Sequence, residues 1–445
     1  MQVQKKITID LSKRYVFPQD IRTVRYEDYI LVISVDEARW IVLKNEQQVS
    51  FFESLRHLTI ENALSKYSGE IQDAKEVILQ IEAKDLFGKH FVDPLIPNGL
   101  HIYLTNKCNM RCPHCYMYAG NELKNELTTE EVLSMLYVYK QKGGLSVTLS
   151  GGETTLRSDL FEIVKYGSEL GLKITILTNG TLWTDDLIKK ISEFVYCVQI
   201  SIDGYDEEEN SKVRGSGSFE KALTTLEKFL DLNVLTTISC TPMYSEDIES
   251  KAEEYANFGR KLVEKYHKKK FKISFNTKLE DGRNNIMTDE KLDKYASQME
   301  LVNKKFLGEF YEENPMFLSL NRRHILKDNC TYGFLYVAAN GDVYACSLIT
   351  QLSPFANIRE KSFEEIMIMA NRLHELSNVN NLKPCNQCEL KYICGGDCRI
   401  KNFEEFKDAD LLNYNPEDFK PRQCNIAYKE SFYRLMIKYN QRLFE

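Results

Sequence analysis

Between residues 101 and 280, six short β-prone runs alternate with stretches long enough to be helices. The runs are His101–Thr105, Ser146–Leu149, Lys173–Thr178, Val198–Ile202, Leu235–Thr241 and Phe271–Asn276. Strands joined by helical crossovers lie parallel, because each crossover returns the chain to the same end of the sheet. Helix signals fill the gaps. Thr128-Thr-Glu-Glu131 has the pattern of a capping box, and residues 219–232 place Ala222, Leu223, Leu226, Phe229 and Leu230 on one face. Six strands fall short of the eight of a closed (β/α)8 barrel. In parallel α/β sheets of this kind, functional side chains gather at the C-terminal strand ends.

The loop after the first strand reads Leu104-Thr-Asn-Lys-Cys-Asn-Met-Arg-Cys-Pro-His-Cys-Tyr116. Cys108, Cys112 and Cys115 have the spacing C-x3-C-x2-C. Three thiolates can hold three irons of a four-iron cluster, which leaves the fourth iron open for chemistry. A zinc knuckle needs a fourth ligand. No further cysteine completes this loop, and ligation by His114, between two of the cysteines, would distort it.

The chain has twelve cysteines in 445 residues, three at 108–115 and seven at 330–424. Met-Gln-Val-Gln-Lys-Lys-Ile at the N-terminus is too polar for a signal peptide, and no run of about 18 apolar residues exists. A cytoplasmic protein with no membrane partner is expected. In a reducing compartment clustered cysteines point to metal rather than disulfides. Cys197 and Cys240 stand alone in strands and are expected to be buried structural thiols. The net charge is −7 with both signs intermixed, so no nucleic-acid partner is expected. Lys268-Lys269-Lys270 reads as a solvated helix end.

The C-x3-C-x2-C loop resembles the signature of the radical SAM superfamily, in which S-adenosylmethionine (SAM) chelates the open iron through its amine and carboxylate. The resemblance implies a partial (β/α)6 barrel in the α/β class and further SAM contacts. Gly151-Gly152-Glu153, after the second strand, resembles the motif that orients the SAM amine. Thr178-Asn179-Gly180 and Ser201-Ile-Asp203-Gly204 resemble polar strand ends that meet SAM. Arg214 resembles the arginine that pairs with the SAM carboxylate, a task suited to a bidentate guanidinium. Tyr116 would lie against the adenine. By their residue types alone, Asn179 and Asp203 could equally be turn formers.

From 326 onward Cys330-x10-Gly341-x4-Cys346, then Cys385-x2-Cys388-x5-Cys394-x3-Cys398, then Cys424 resemble a SPASM domain. The spacing to Cys424 is longer than is common there. The resemblance implies two auxiliary iron–sulfur clusters. Cys385, Cys388, Cys394 and Cys424 would hold the distal one, and Cys330, Cys346 and Cys398 the one nearer the barrel. Three [4Fe-4S] clusters in all are expected. The nearer cluster is one cysteine short. Sulfatase-maturing relatives have a cysteine six positions after the first, where this chain has Tyr336. An open iron there could take a substrate thiolate.

Residues 1–88 read as a separate unit. Tyr29–Ser34 and Ala38–Leu43 suggest a hairpin, and helices are expected near 47–56, 59–67 and 71–87, with Thr59 as an N-cap. Strands followed by three helices resemble the PqqD-like domain, which binds leader peptides. A structural cap on the barrel is the other reading. Residues 89–100, with Pro94, Pro97 and Gly99, read as a linker, 101–325 as the barrel with a helical bridge, and 326–445 as the SPASM domain.

Together these resemblances imply an enzyme that cleaves SAM reductively and modifies a ribosomally made precursor peptide. Thioether bonds from cysteine sulfur to carbon are the expected product, with residues 1–88 holding the leader. Flavodoxin or ferredoxin would supply electrons. Carbon–carbon crosslinking and formylglycine formation are alternatives within the class. A non-catalytic electron carrier is the alternative outside it, and such a carrier has no need of Gly151, Gly152, Glu153 or Arg214.

Overall fold

A computed structural model describes residues 9–88, 99–308, 330–402, 404–415 and 426–441. Its N-terminal part is an antiparallel sheet of β1 (Ile21–Tyr26), β2 (Tyr29–Ser34) and β3 (Arg39–Leu43), in that order. Helices α1 (Glu46–Leu55), α2 (Ile60–Lys66) and α3 (Ile71–Lys84) follow. The expected hairpin is β2–β3, and the Thr59 hydroxyl caps α2 by accepting from the Asn62 amide. The sequence reading passed over β1.

Both faces of this sheet are covered, so β2 and β3 are buried almost throughout. Ile30, Val32, Ile41 and Leu43 share one core with Phe51, Phe52 and Leu55 of α1 and Val77, Ile78 and Ile81 of α3. Leu31, Ile33, Trp40 and Val42 share another with Leu390 and with Tyr433, Met436 and Ile437. The last three belong to the last described helix, Ile426–Gln441. The N-terminal sheet and the last described helix therefore pack on each other.

The barrel strands are β4 (Leu100–Tyr103), β5 (Ser146–Ser150), β6 (Lys173–Thr178), β7 (Cys197–Ser201), β8 (Leu235–Cys240) and β9 (Phe271–Phe275). They are parallel neighbours in chain order. Helices α4 (Thr129–Gln141), α5 (Leu160–Glu169), α6 (Asp185–Ser192), α7 (Glu207–Arg214), α8 (Ser218–Asp231) and α9 (Ala252–Lys265) fill the connections. The capping box of Thr128 and Glu131 is formed at α4. Ala222, Leu226, Phe229 and Leu230 of α8 are buried in the barrel core as expected. A further helix, α10 (Asp289–Leu307), follows β9.

The same sheet continues beyond the barrel. β10 (Leu335–Val337) runs parallel to β4, with Leu335 opposite Leu100. β11 (Asp342–Tyr344) and β12 (Ala356–Asn357) add antiparallel strands, giving the order β12-β11-β10-β4-β5-β6-β7-β8-β9. The cysteine-rich region thus supplies the strands beside β4. Among the described residues no helix is long and apolar enough to cross a membrane.

Candidate active site

The C-terminal ends of the barrel strands open onto a cavity of about 320 Å3. Cys108, Cys112, Cys115 and Tyr116 line it from the loop after β4. Gly151 and Gly152 line it after β5, Asn179 after β6 and Ser201 at the end of β7, and Arg214 comes from α7.

Glycines let the cysteine loop sit where it does. Gly152 N–H donates to Thr105 O at 2.7 Å, and Glu153 N–H to Lys107 O at 2.9 Å. A Cβ on Gly152 would lie 2.2 Å from Lys107 O. One on Gly151 would lie 2.4 Å from Thr105 O, and Gly151 has φ +134°. Side chains cannot enter so close a backbone approach. The other side of the loop is tied to the segment after β9. Asn284 N–H donates to Pro113 O at 2.8 Å, and Arg283 donates to Ala119 O at 2.5 Å.

Two expected SAM contacts, Glu153 and Asp203, are buried behind the cavity wall rather than in its lining. Glu153 accepts from the Thr178 hydroxyl at 2.7 Å and from Asn179 N–H at 2.8 Å, so it fixes the end of β6. Asp203 Oδ2 accepts from Arg214 Nε at 2.6 Å and lies 3.3 Å from His114 Nε2, while Oδ1 accepts from Thr241 N–H at 3.0 Å. Burial pushes the Asp203 carboxyl up, but the charges of Arg214 and His114 outweigh it and leave it at about 2. Asp203 therefore orients the arginine and ties β8 to the cysteine loop.

The sequence reading missed Lys278 and Glu280, which line the cavity from the loop after β9. Two charged residues flanking buried Leu279 just past a strand end were the available signal. Cys240 is fully buried in the barrel core and does not line the cavity, and Cys197 is buried in β7.

The donor set fits an iron–sulfur cluster. Burial pushes the Cys108 thiol up to about 11, with Glu153, Cys112 and Cys115 adding to the rise, and burial raises Cys112 too. Bound iron offsets that cost of deprotonation. Among the described residues no three metal-binding side chains converge on one ion. A cluster makes no such demand, since each thiolate takes a different iron.

The second cysteine group falls into two neighbourhoods. Burial pushes Cys346 up to about 11, and Cys330 and Cys398 are close enough to raise it further. Cys385, Cys388 and Cys394 line a separate cavity of about 190 Å3. Its other wall is Tyr428, Lys429 and Phe432 of the last helix. Cys424 lies outside the described residues. Tyr336 is buried beside Cys330 and Cys346, with its hydroxyl 2.7 Å from Thr331 Oγ1. The Tyr103 hydroxyl lies 3.3 Å from that of Tyr116 and donates to Ser347 O at 3.2 Å. Two phenols thus connect the first cysteine loop to the residue after Cys346.

The sequence matches the Radical SAM superfamily over residues 102–259 and SPASM, an iron-sulfur cluster-binding domain, over 330–389. An AdoMet-dependent heme synthase from Methanosarcina barkeri is 28% identical, covering 70% of this chain and 93% of its own. The sporulation killing factor maturation protein SkfB of Bacillus subtilis is 25% identical, covering 67% and 72%. The structure of Streptococcus suis SuiB bound to precursor peptide SuiA shares the fold with a TM-score of 0.50 at 18% identity, covering 87% and 96%. From its parallel barrel sheet to its cysteine-rich C-terminal region, this chain carries a radical SAM domain followed by a SPASM domain.

Proposed function

We propose that the protein cleaves SAM reductively and uses the product to modify a ribosomally made precursor peptide, forming cysteine sulfur-to-carbon thioether bonds. The observation that carries this reading is the cavity that gathers Cys108, Cys112 and Cys115 with Gly151, Gly152, Asn179, Ser201 and Arg214. When bound, the cluster supplies the electron that splits SAM into methionine and a 5′-deoxyadenosyl radical able to abstract hydrogen from a peptide. The three cysteines hold the cluster. The glycine pair lets the cysteine loop pack backbone to backbone against the end of β5. Arg214, steadied by Asp203, would pair with the methionyl carboxylate, and Tyr116, in the cavity lining, would lie against the adenine. Lys278 and Glu280 face the substrate from the last strand's loop.

In this reading Cys330, Cys346 and Cys398 hold one auxiliary cluster, and Cys385, Cys388, Cys394 and Cys424 the other. An open iron on the first would take the substrate thiolate. Tyr336 in place of a fourth cysteine counts against formylglycine formation. The peptide reading draws support from SkfB, a maturation protein, and from SuiB, solved with a precursor peptide. The heme synthase relative favours a second reading, a porphyrin substrate. Residues 1–88 would be a PqqD-like unit that holds the leader, and flavodoxin or ferredoxin would supply the electron.

The test is anaerobic reconstitution with iron analysis and SAM cleavage. Wild-type protein is expected to hold three clusters and release 5′-deoxyadenosine. The Cys108→Ala/Cys112→Ala/Cys115→Ala variant should lose one cluster's iron and all cleavage. Retained cleavage sinks the assignment. Mass spectrometry after incubation with a cysteine-containing peptide, or with a porphyrin, then separates the two substrate readings.

A further inference from the structure

The last described helix, Ile426–Gln441, packs on the N-terminal sheet along one stretch and meets the cysteine-rich region along another. Its first turns form one wall of the cavity that Cys385, Cys388 and Cys394 line. The donor set there suits iron. Three thiols border about 190 Å3 of space. Burial raises both Cys388 and Cys394 above the usual thiol range, a cost that bound iron offsets.

Charged and polar side chains crowd two of those sulfurs. Cys388 Sγ lies 3.7 Å from Glu389 Oε2. Lys429 Nζ lies 3.0 Å from Glu389 Oε1 and 3.3 Å from Oε2, so the ammonium is held beside the same sulfur. After burial, the Leu390 amide pulls the Cys388 thiol back down, Glu389 pushes it up and Lys429 pulls it down. The Leu390 N–H donates to Cys388 Sγ at 3.4 Å. At Cys394, the Tyr428 hydroxyl lies 3.7 Å from Sγ. A metal-bound thiolate has no proton to give, so the phenol is the donor there.

These positions are set by segments far apart in sequence. Tyr433, on the same helix, donates to Glu389. Trp40 Nε1 donates to Met436 O at 3.2 Å, which ties that helix to β3. Arg22 of β1 donates to Gln387 O and brings a second cation near Cys388. Lys391 and Asp397 line the cavity too, and Lys391 is paired with Asp36 at 3.5 Å. Glu389 and Lys429 form the ion pair that abuts Cys388.

We propose that this pair sets the reduction potential of the cluster held by Cys385, Cys388, Cys394 and Cys424: the Lys429 ammonium raises it, the Glu389 carboxylate lowers it, and the Tyr428 hydroxyl raises it through Cys394. This rests on the cluster assignment above. Uptake of one electron adds one negative charge to a [4Fe-4S] cluster and its thiolates. A cation or a donated hydrogen bond at sulfur favours that charge, and an anion disfavours it. Water partly screens both groups, since the Lys429 side chain is 32% exposed and that of Glu389 15%. Each is expected to shift the reduction equilibrium about tenfold, which is about 59 mV for one electron. Both are positioning residues that act through Cys388.

The test is an EPR-monitored redox titration with dithionite on full-length, reconstituted protein. The midpoint potential missing from a Cys385→Ala/Cys388→Ala variant belongs to this cluster. Lys429→Met should lower that potential by about 59 mV, and Glu389→Gln should raise it by about as much. Lys429→Arg keeps the charge and should stay near wild type. Tyr428→Phe should lower the potential by less. Iron content and the other potentials should not move. Opposite signs at neighbouring residues decide the matter, because a merely structural role would shift both variants the same way or shed iron from both. Two shifts of one sign, no shift, or iron lost from both overturns the proposal while leaving the cluster assignment intact. If the Cys385→Ala/Cys388→Ala variant holds as much iron as wild type, no cluster sits there, and the proposal falls with the assignment.

Discussion

Asp203 shows how one buried carboxylate can govern a site it does not line. It holds the Nε of Arg214, reaches His114 between two cluster cysteines, and accepts from the Thr241 amide just past β8. A buried pair of this kind is costly to break from one side, because the remaining charge loses its partner in a dry setting. Asp203→Asn should keep the shape and leave Arg214 loosely held. We expect SAM affinity, measured by equilibrium dialysis on reconstituted protein, to fall at least about tenfold, in keeping with ~1.5–3 kcal/mol for a hydrogen bond to a charged group. Iron content should be unchanged. Wild-type affinity in this variant would show that Arg214 needs no such support. The sequence made Asp203 visible but not its role. A polar residue at a strand end can face a ligand or brace one that does, and only packing decides between them. Glu153 makes the same point, since it holds Thr178 and Asn179 rather than the cavity.

At the level of elements, the six barrel strands were legible because each is a compact apolar run between helices of ordinary length. β10, β11 and β12 were not, because two or three residues carry no periodicity. β1 escaped for another reason. Arg22, Thr23 and Arg25 dilute its apolar signal, as suits a strand with an open edge. The packing of the last helix on β2 and β3 depends on residues about 400 positions apart, for which no local pattern exists. That contact carries its own pH dependence. The Lys84 ammonium lies 3.9 Å from the Tyr439 ring centre and 4.8 Å from that of Trp40. Burial, helped by the charge of Arg39, pulls it down to about 7. An unfolded chain keeps this proton up to about 10.4. Above pH 7 the unfolded state therefore binds more protons, and stability rises with pH toward about 10. The slope from this one group is at most about 1.4 kcal/mol per pH unit. Lys84→Met should flatten the rise, read as the difference between the two proteins' denaturant midpoints from pH 7 to 9. Parallel curves would show that Lys84 stays charged between its two rings.

Over the whole molecule, the cysteine-rich region is built into the sheet rather than hung from it. β10 pairs with β4, and the Cys108 loop leaves the end of β4. The separation between the first cysteine loop and Cys346 is therefore held by one hydrogen-bonded register and by the Tyr103–Tyr116 contact. A chain ending at residue 325 should lose more than its auxiliary cysteines. It would bare the outer edge of β4, a parallel strand packed on both faces, and such edges pair with other chains. We expect that truncation to elute from size exclusion as aggregate while the full chain elutes as a discrete species. A soluble, monodisperse truncation would show that the barrel edge is protected without β10.

The same pairing sets an order of events during synthesis. β4 ends at Tyr103, and its outer neighbour begins at Leu335, about 230 residues later. At roughly 5–20 residues per second, a ribosome takes on the order of ten to fifty seconds to deliver it. For that interval the strand that launches the first cysteine loop has a partner on one side only. A nascent chain in this state bares a strand edge open to pairing with other chains, and iron inserted early would enter a loop whose supporting sheet is still incomplete.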